Sequence, residues 1–163
     1  MIARFLEVGD MLASEIHRFL KAYTPASQTT RIYALTIGDL ETDGYTADAI
    51  NLRVFVIPDV PKAAIETRSK DTFSFPYTIV FFEKCQTATA GAPPNSWVDA
   101  RTLIVDAVIR EFGDLRKEKL PESLHALRCQ ESEYAVFVDE SMLREQGAFW
   151  SEISLTYSEC VRV

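Results

Sequence analysis

The sequence predicts a small α/β domain of the α+β kind: a mixed, mainly antiparallel sheet packed by an N-terminal helix and one long central helix. Three observations predict it. Tyr77 to Glu83 is apolar on both alternating faces, the pattern of a strand covered on both sides. Ile50 to Ile57 alternates cleanly and can pair beside it. Ser96 to Phe112 carries one broad apolar stripe at helical spacing and supplies cover for the sheet.

A length of 163 residues at 47% hydrophobic fits a single domain over 1–163, with extended loops at about 38–49 and 58–75. The formal net charge of −7 argues against a nucleic-acid grip, which requires concentrated Lys and Arg to displace counterions from phosphates. DNA passing nearby without being held is compatible with that charge. Met1 to Leu12 mixes Arg4, Glu7 and Asp10 among its apolar residues, unlike a signal peptide. No segment approaches a membrane-spanning run. Three widely spaced cysteines, Cys85, Cys129 and Cys160, read as thiols of a reducing cytoplasm.

In chain order, Ile2 to Tyr23 places Ile2, Phe5, Leu6, Leu12, Ile16, Phe19 and Leu20 at helical spacing. Gly9 weakens that helix by roughly 1 kcal/mol against alanine. Thr24 and Pro25 end it, because the residue before proline is pushed out of helical geometry. Arg31 to Ile37 predicts a strand. The acidic, glycine-bounded segment from Gly38 to Asp48 predicts an exposed loop or hairpin tip. Ile50 to Ile57 turns Ile50, Leu52, Val54 and Val56 to one face, and Pro58 and Pro61 terminate it.

Lys62 to Lys70 has few large apolar residues and reads as a mobile or extended surface linker. Strand character returns over Asp71 to Glu83, with a possible break at Pro76. Gln86 to Pro94 is a loop. Ser96 and Asp99 resemble a capping box for the central helix, with Asp in place of Glu or Gln. Val98, Val105, Val108, Ile109 and Phe112 form the helix's stripe, broadened by Trp97, Ile104 and Leu115, and Gly113 caps its end. Leu124 to Cys129 and Tyr134 to Val138 are strand-like, with a turn, a bulge or one long irregular strand between them. Asp139 to Gln146 holds a helical turn stopped by Gly147. Phe149 to Tyr157 alternates, with Phe149, Ile153, Leu155 and Tyr157 inward.

No catalytic or metal constellation survives inspection. Asp39 to Gly44 opens like a calcium loop, but its twelfth position is Ile50, where a bidentate Glu is required, so the segment reads as a solvated loop or an intersubunit contact. His17 and His125 belong to no ligand pair, so zinc is not expected. Cys129 with His125 is the one nucleophile-and-base pairing the chain offers, for a small cytoplasmic hydrolase or transferase. The plainer reading is a core thiol and an ordinary histidine. Arg53, Arg68 and Lys70 read as a basic patch opposing Asp39, Glu41, Asp43 and Asp48 of a neighbouring copy, or as solvated charges. Trp97, Phe149 and Trp150 read as core or subunit contact.

Leu52-Arg-Val-Phe-Val-Ile-Pro58, Tyr77-Thr-Ile-Val-Phe-Phe-Glu83, the long helix after them and the ending Phe149-Trp-Ser-Glu-Ile-Ser-Leu-Thr-Tyr157 together resemble the tail terminator and tail-completion (neck) proteins of long-tailed bacteriophages. The order of elements along nearly the whole chain is similar to theirs. The resemblance implies a non-enzymatic structural protein of the virion, assembled in the host cytoplasm, without cofactor or membrane. It implies a ring of copies, usually six, at the head-proximal end of the tail. That ring joins the tail-tube protein to the neck connector, and DNA slides unheld through an acidic lumen. A head-completion or neck adaptor of the same virion shares the plan.

Overall fold

The computed structural model describes residues 1–24, 26–33, 51–67, 70–85, 93–116 and 120–162, excepting the side chains of 64–67. In chain order these form helix α1 (Ile2–Leu20), strands β1 (Gln28–Arg31), β2 (Arg53–Pro58), β3 (Lys62–Thr67) and β4 (Lys70–Lys84), and helix α2 (Asn95–Phe112). A 3₁₀ turn (Glu122–Leu124), strand β5 (Arg128–Val136), helix α3 (Glu140–Gln146) and strand β6 (Ala148–Arg162) follow. The sheet order is β1-β2-β4-β6-β5, and β3 pairs with β4 beyond the end of β2. β1 and β2 are parallel and every other pairing is antiparallel, so the fold is α+β with a mixed sheet.

β4 and β6 are the long axis of the sheet, paired from Lys70↔Arg162 to Lys84↔Ala148. Side chains alternate across a strand, so each apolar run feeds two cores. On one face Phe75, Tyr77, Ile79 and Phe81 of β4 and Phe149, Ile153, Leu155 and Tyr157 of β6 are buried beneath α1 and α2. On the other, Val80, Phe82 and Ala148 pack with Phe55 of β2 and Met142 of α3. Each fully buried side chain of this size stabilises the fold by about 1.5–3 kcal/mol. The double-faced pattern of Tyr77 to Glu83 has this origin.

α1 lays Phe5, Val8, Leu12, Ile16 and Leu20 on the sheet. Gly9 leaves no room for a side chain: a Cβ there would stand 2.8 Å from Arg31 Cδ and 3.1 Å from Tyr77 Cε1. The helix stops at Leu20, and Lys21 to Tyr23 turn before the Thr24-Pro25 signal is reached. In α2, Val105, Val108 and Phe112 are buried, whereas Leu115 lies past the helix end and is 57% exposed. Its first turn corrects the expected capping box. The N-cap is Pro94, already at φ −59°, so the helix begins at Asn95, Ser96 falls inside it, and no side chain caps it. Gly113 does end the helix, its N–H bonded to Ile109 O.

Three further expectations change, and one that the sequence leaves open is settled. The strand expected at Arg31 to Ile37 begins earlier: β1 pairs Gln28 to Arg31 with Arg53 to Val56, and Ile32 N–H adds one more bond to Val56 O. Ala34 to Ile37 lie outside the described residues. Lys62 to Lys70, expected as a linker, contains β3, which pairs with β4 from Lys62↔Ser74 onward. It has few large apolar residues because backbone pairing forms this strand without demanding apolar cover on each face.

Pro76 does not break β4. Its carbonyl accepts from Asp59 N–H at 2.9 Å, so the N–H that proline lacks also falls on this side, just past the last pair of β2 with β4, and only that one bond to Asp59 is forgone. The two runs expected near Leu124 to Val138 resolve into one irregular strand, β5. Register shifts interrupt it between Cys129 and Glu131 and between Tyr134 and Val136, while Leu124 sits in the 3₁₀ turn.

The ends of α3 follow the sequence. The Asp139 carboxylate accepts from Met142 N–H at 2.9 Å, and Gly147 takes φ 61°. β6 alternates as expected and continues past Tyr157 to Arg162.

Candidate functional site

β4 and β6 run on past the pairing positions of β2. Lys70 to Ser74 of β4 lies between β3 on one side and Ser158 to Arg162 of β6 on the other, forming a three-stranded antiparallel ribbon. Across it, Lys62, Ser74 and Ser158 share one level and Ala64, Thr72 and Cys160 share another. β5 stops pairing at Arg128↔Ser158. Among the described residues, β3 pairs only with β4, and Glu159 to Arg162 pair only with β4. The ribbon therefore presents two strand edges at the same height.

A charge clamp fixes the ribbon to α1. The Arg4 guanidinium donates to both carboxylate oxygens of Glu159, Nε to Oε2 at 3.0 Å and Nη2 to Oε1 at 2.8 Å, and to Glu7 at 2.9 Å. The Glu159 carboxylate, then Glu7, holds the guanidinium above its ordinary pKa. A second clamp seats α2: Arg101 pairs with the buried Glu83 carboxylate and lies 4.5 Å over the Trp97 ring centroid. A third joins Arg31 to Asp10 at 2.5 Å, and Asp10 raises the Arg31 pKa.

Of the charged residues read as interface or lumen candidates, Asp39, Glu41, Asp43, Asp48 and Arg68 lie outside the described residues, as does the calcium-like segment Asp39 to Gly44. Arg53 and Lys70 do not share a patch. Arg53 stands opposite Phe82 near one end of β4, and Lys70 begins that strand at its other end, about 40 Å away at about 3.4 Å per residue. Arg53 donates to Gln28 Oε1, beside it on β1.

Cys129 and His125 are not arranged as a nucleophile and its base. His125 is exposed in a turn before β5, whereas Cys129 is buried on the strand and its Sγ donates to Glu131 O at 3.4 Å. Burial pushes the Cys129 thiol up to about 11, so it is protonated at neutral pH, opposite to an activated nucleophile. Among the described residues no group of three or more His, Cys, Asp or Glu side chains is placed to hold a metal ion. No described helix is long and apolar enough to cross a membrane. A groove of about 640 Å³ follows the outer face of α1, lined by Leu6, Asp10, Met11, Ser14 and Arg31 among others, without histidine or thiol. Trp97 packs edge-on to Phe149, and Trp150 packs edge-on to Phe82 on the other face, so these aromatics serve the core.

The sequence matches no protein-family model and no curated protein. The geometry therefore carries the functional reading. Sequence reasoning passed over Arg4, Lys62 and Glu159, the residues that anchor and edge the ribbon. For Glu159 the one signal is that the polar alternation of Ser154, Thr156 and Ser158 does not stop at Tyr157.

Proposed function

We propose that this chain is a structural ring subunit of the virion of a long-tailed bacteriophage, a tail terminator. Its copies close a ring on the head-proximal end of the tail tube and join it to the neck connector. The observation that carries the reading is the ribbon of β3, β4 and β6, a sheet extension whose two outer edges have no strand partner among the described residues. Support also comes from the order of helix, strands, long helix and closing strands, the plan on which the resemblance to terminators rests. The net charge of −7 suits a channel through which DNA slides without being gripped.

The test is end-binding. The purified protein is mixed with tubes of the tail-tube protein encoded in the same genome and imaged by negative-stain electron microscopy. A ring with an open centre seated on one end of each tube is the expected result. Tubes left bare at both ends, or decorated along their sides, contradict the proposal.

A further inference from the structure

We infer that neighbouring copies join by continuing the sheet. The outer edges of β6, Glu159 to Arg162 of one copy, and of β3, Lys62 to Thr67 of the next, both without a strand partner among the described residues, pair in parallel. This rests on the ring reading above and specifies the contact that closes it.

Three observations carry it. Both edges belong to one ribbon and stand at the same level, since Ala64, Thr72 and Cys160 are aligned across its three strands. A neighbour's β3 therefore meets β6 without sliding along it. Each of β3 and β6 is antiparallel to β4, so the two point the same way. Rotation about an axis along the strands preserves that direction. A cyclic belt thus requires a parallel β6–β3 junction, whereas a two-fold pairing of like edges would be antiparallel.

The β5 edge suits this use less: it carries two register shifts, against one in β3 between Ile65 and Thr67, and the exposed carboxylates of Glu131 and Glu133, features that blunt an edge. Parallel strands lie about 4.8 Å apart, so matched positions on the joined edges fall within reach of a short thiol cross-linker.

Cys160 is exposed, and Lys62 stands on the same ribbon face two residues from its level. The test is a Lys62→Cys variant of the full chain treated with a short bis-maleimide, after thermal melting confirms that it folds as the parent does. Expected is a ladder of covalent species from two copies up to the closed ring, absent in the parent chain and in Lys62→Cys/Cys160→Ser. A covalent dimer in the parent chain would mean like β6 edges meet, and one in the double variant would mean like β3 edges meet; either overturns the parallel junction. Rings seen by electron microscopy without a ladder overturn the junction and leave the ring reading standing. A strictly monomeric protein overturns both.

Discussion

Tyr77 and Tyr157 lie side by side on β4 and β6, ring centroids 6.4 Å apart, and each ties a different helix to the sheet. Tyr77 donates its hydroxyl to Phe5 O of α1 at 2.5 Å, and Tyr157 donates to Phe112 O of α2 at 2.7 Å. Burial raises both phenols far above the ordinary tyrosine range, so both remain donors at any physiological pH.

The two bonds are not equivalent. Phe5 O lies within α1 and has an intrahelical partner, whereas Phe112 O is among the last carbonyls of α2, which have none. Tyr157→Phe leaves a buried acceptor unsatisfied and should lower unfolding free energy by about 1–3 kcal/mol, against about 1 kcal/mol for Tyr77→Phe. Urea denaturation of both variants checks the order. Equal losses would contradict it.

Stability should fall in alkali. An unfolded thiol ionises near pH 8.5, whereas folded Cys129 holds its proton to about 11. Below the unfolded value both states are protonated and nothing changes. Between the two values the folded state alone binds the proton, so stability declines as pH rises, by roughly 2–3 kcal/mol in total. Tyr77 and Tyr157, with raised values, add loss of the same sign at higher pH. Urea midpoints measured from pH 7 to 11 should fall less steeply above pH 9 for Cys129→Ala. At neutral pH one thiol, that of Cys160, should react quickly with a maleimide, while Cys85 and Cys129 react only on unfolding.

Gly113→Ala should destabilise by about 1–3 kcal/mol through overpacking. Its Cβ would stand 2.7 Å from Ser132 Cβ and 2.8 Å from both Ile109 O and Leu155 Cδ2, and a backbone oxygen cannot swing away. Thermal melting of the variant is the check, and an unchanged midpoint would contradict it.

Arg4→Ala and Glu159→Gln should each loosen the ribbon from α1. The pair is bidentate and partly buried, so a double-mutant cycle should return a coupling of about 1–2 kcal/mol, above the value for an exposed pair. A coupling near zero would mean the clamp does not hold the ribbon.

Much of the fold was legible because burial writes itself as periodicity. Tyr77 to Glu83, Phe149 to Tyr157 and the stripe of α2 sit over apolar cores and could take few other patterns. The ribbon was not legible. β3 and the last residues of β6 are held mainly by backbone pairing, which places little demand on side chains, so Lys62 to Lys70 looked like linker. Pro76 looked like a break because its place just past the last pair of β2 with β4 is a tertiary feature, visible only once β2 and β3 lie end to end along β4. The separation of Arg53 from Lys70 was equally hidden, since it depends on where each strand meets β4.

The central claim is that this chain works as a closed ring of copies. Light scattering of the purified protein across micromolar to submillimolar concentrations, with imaging of the same samples, tests it most directly. A single species of one integral multiple of the chain mass, close to six, with a central hole, is the predicted result. A mass equal to one chain at every concentration would contradict it.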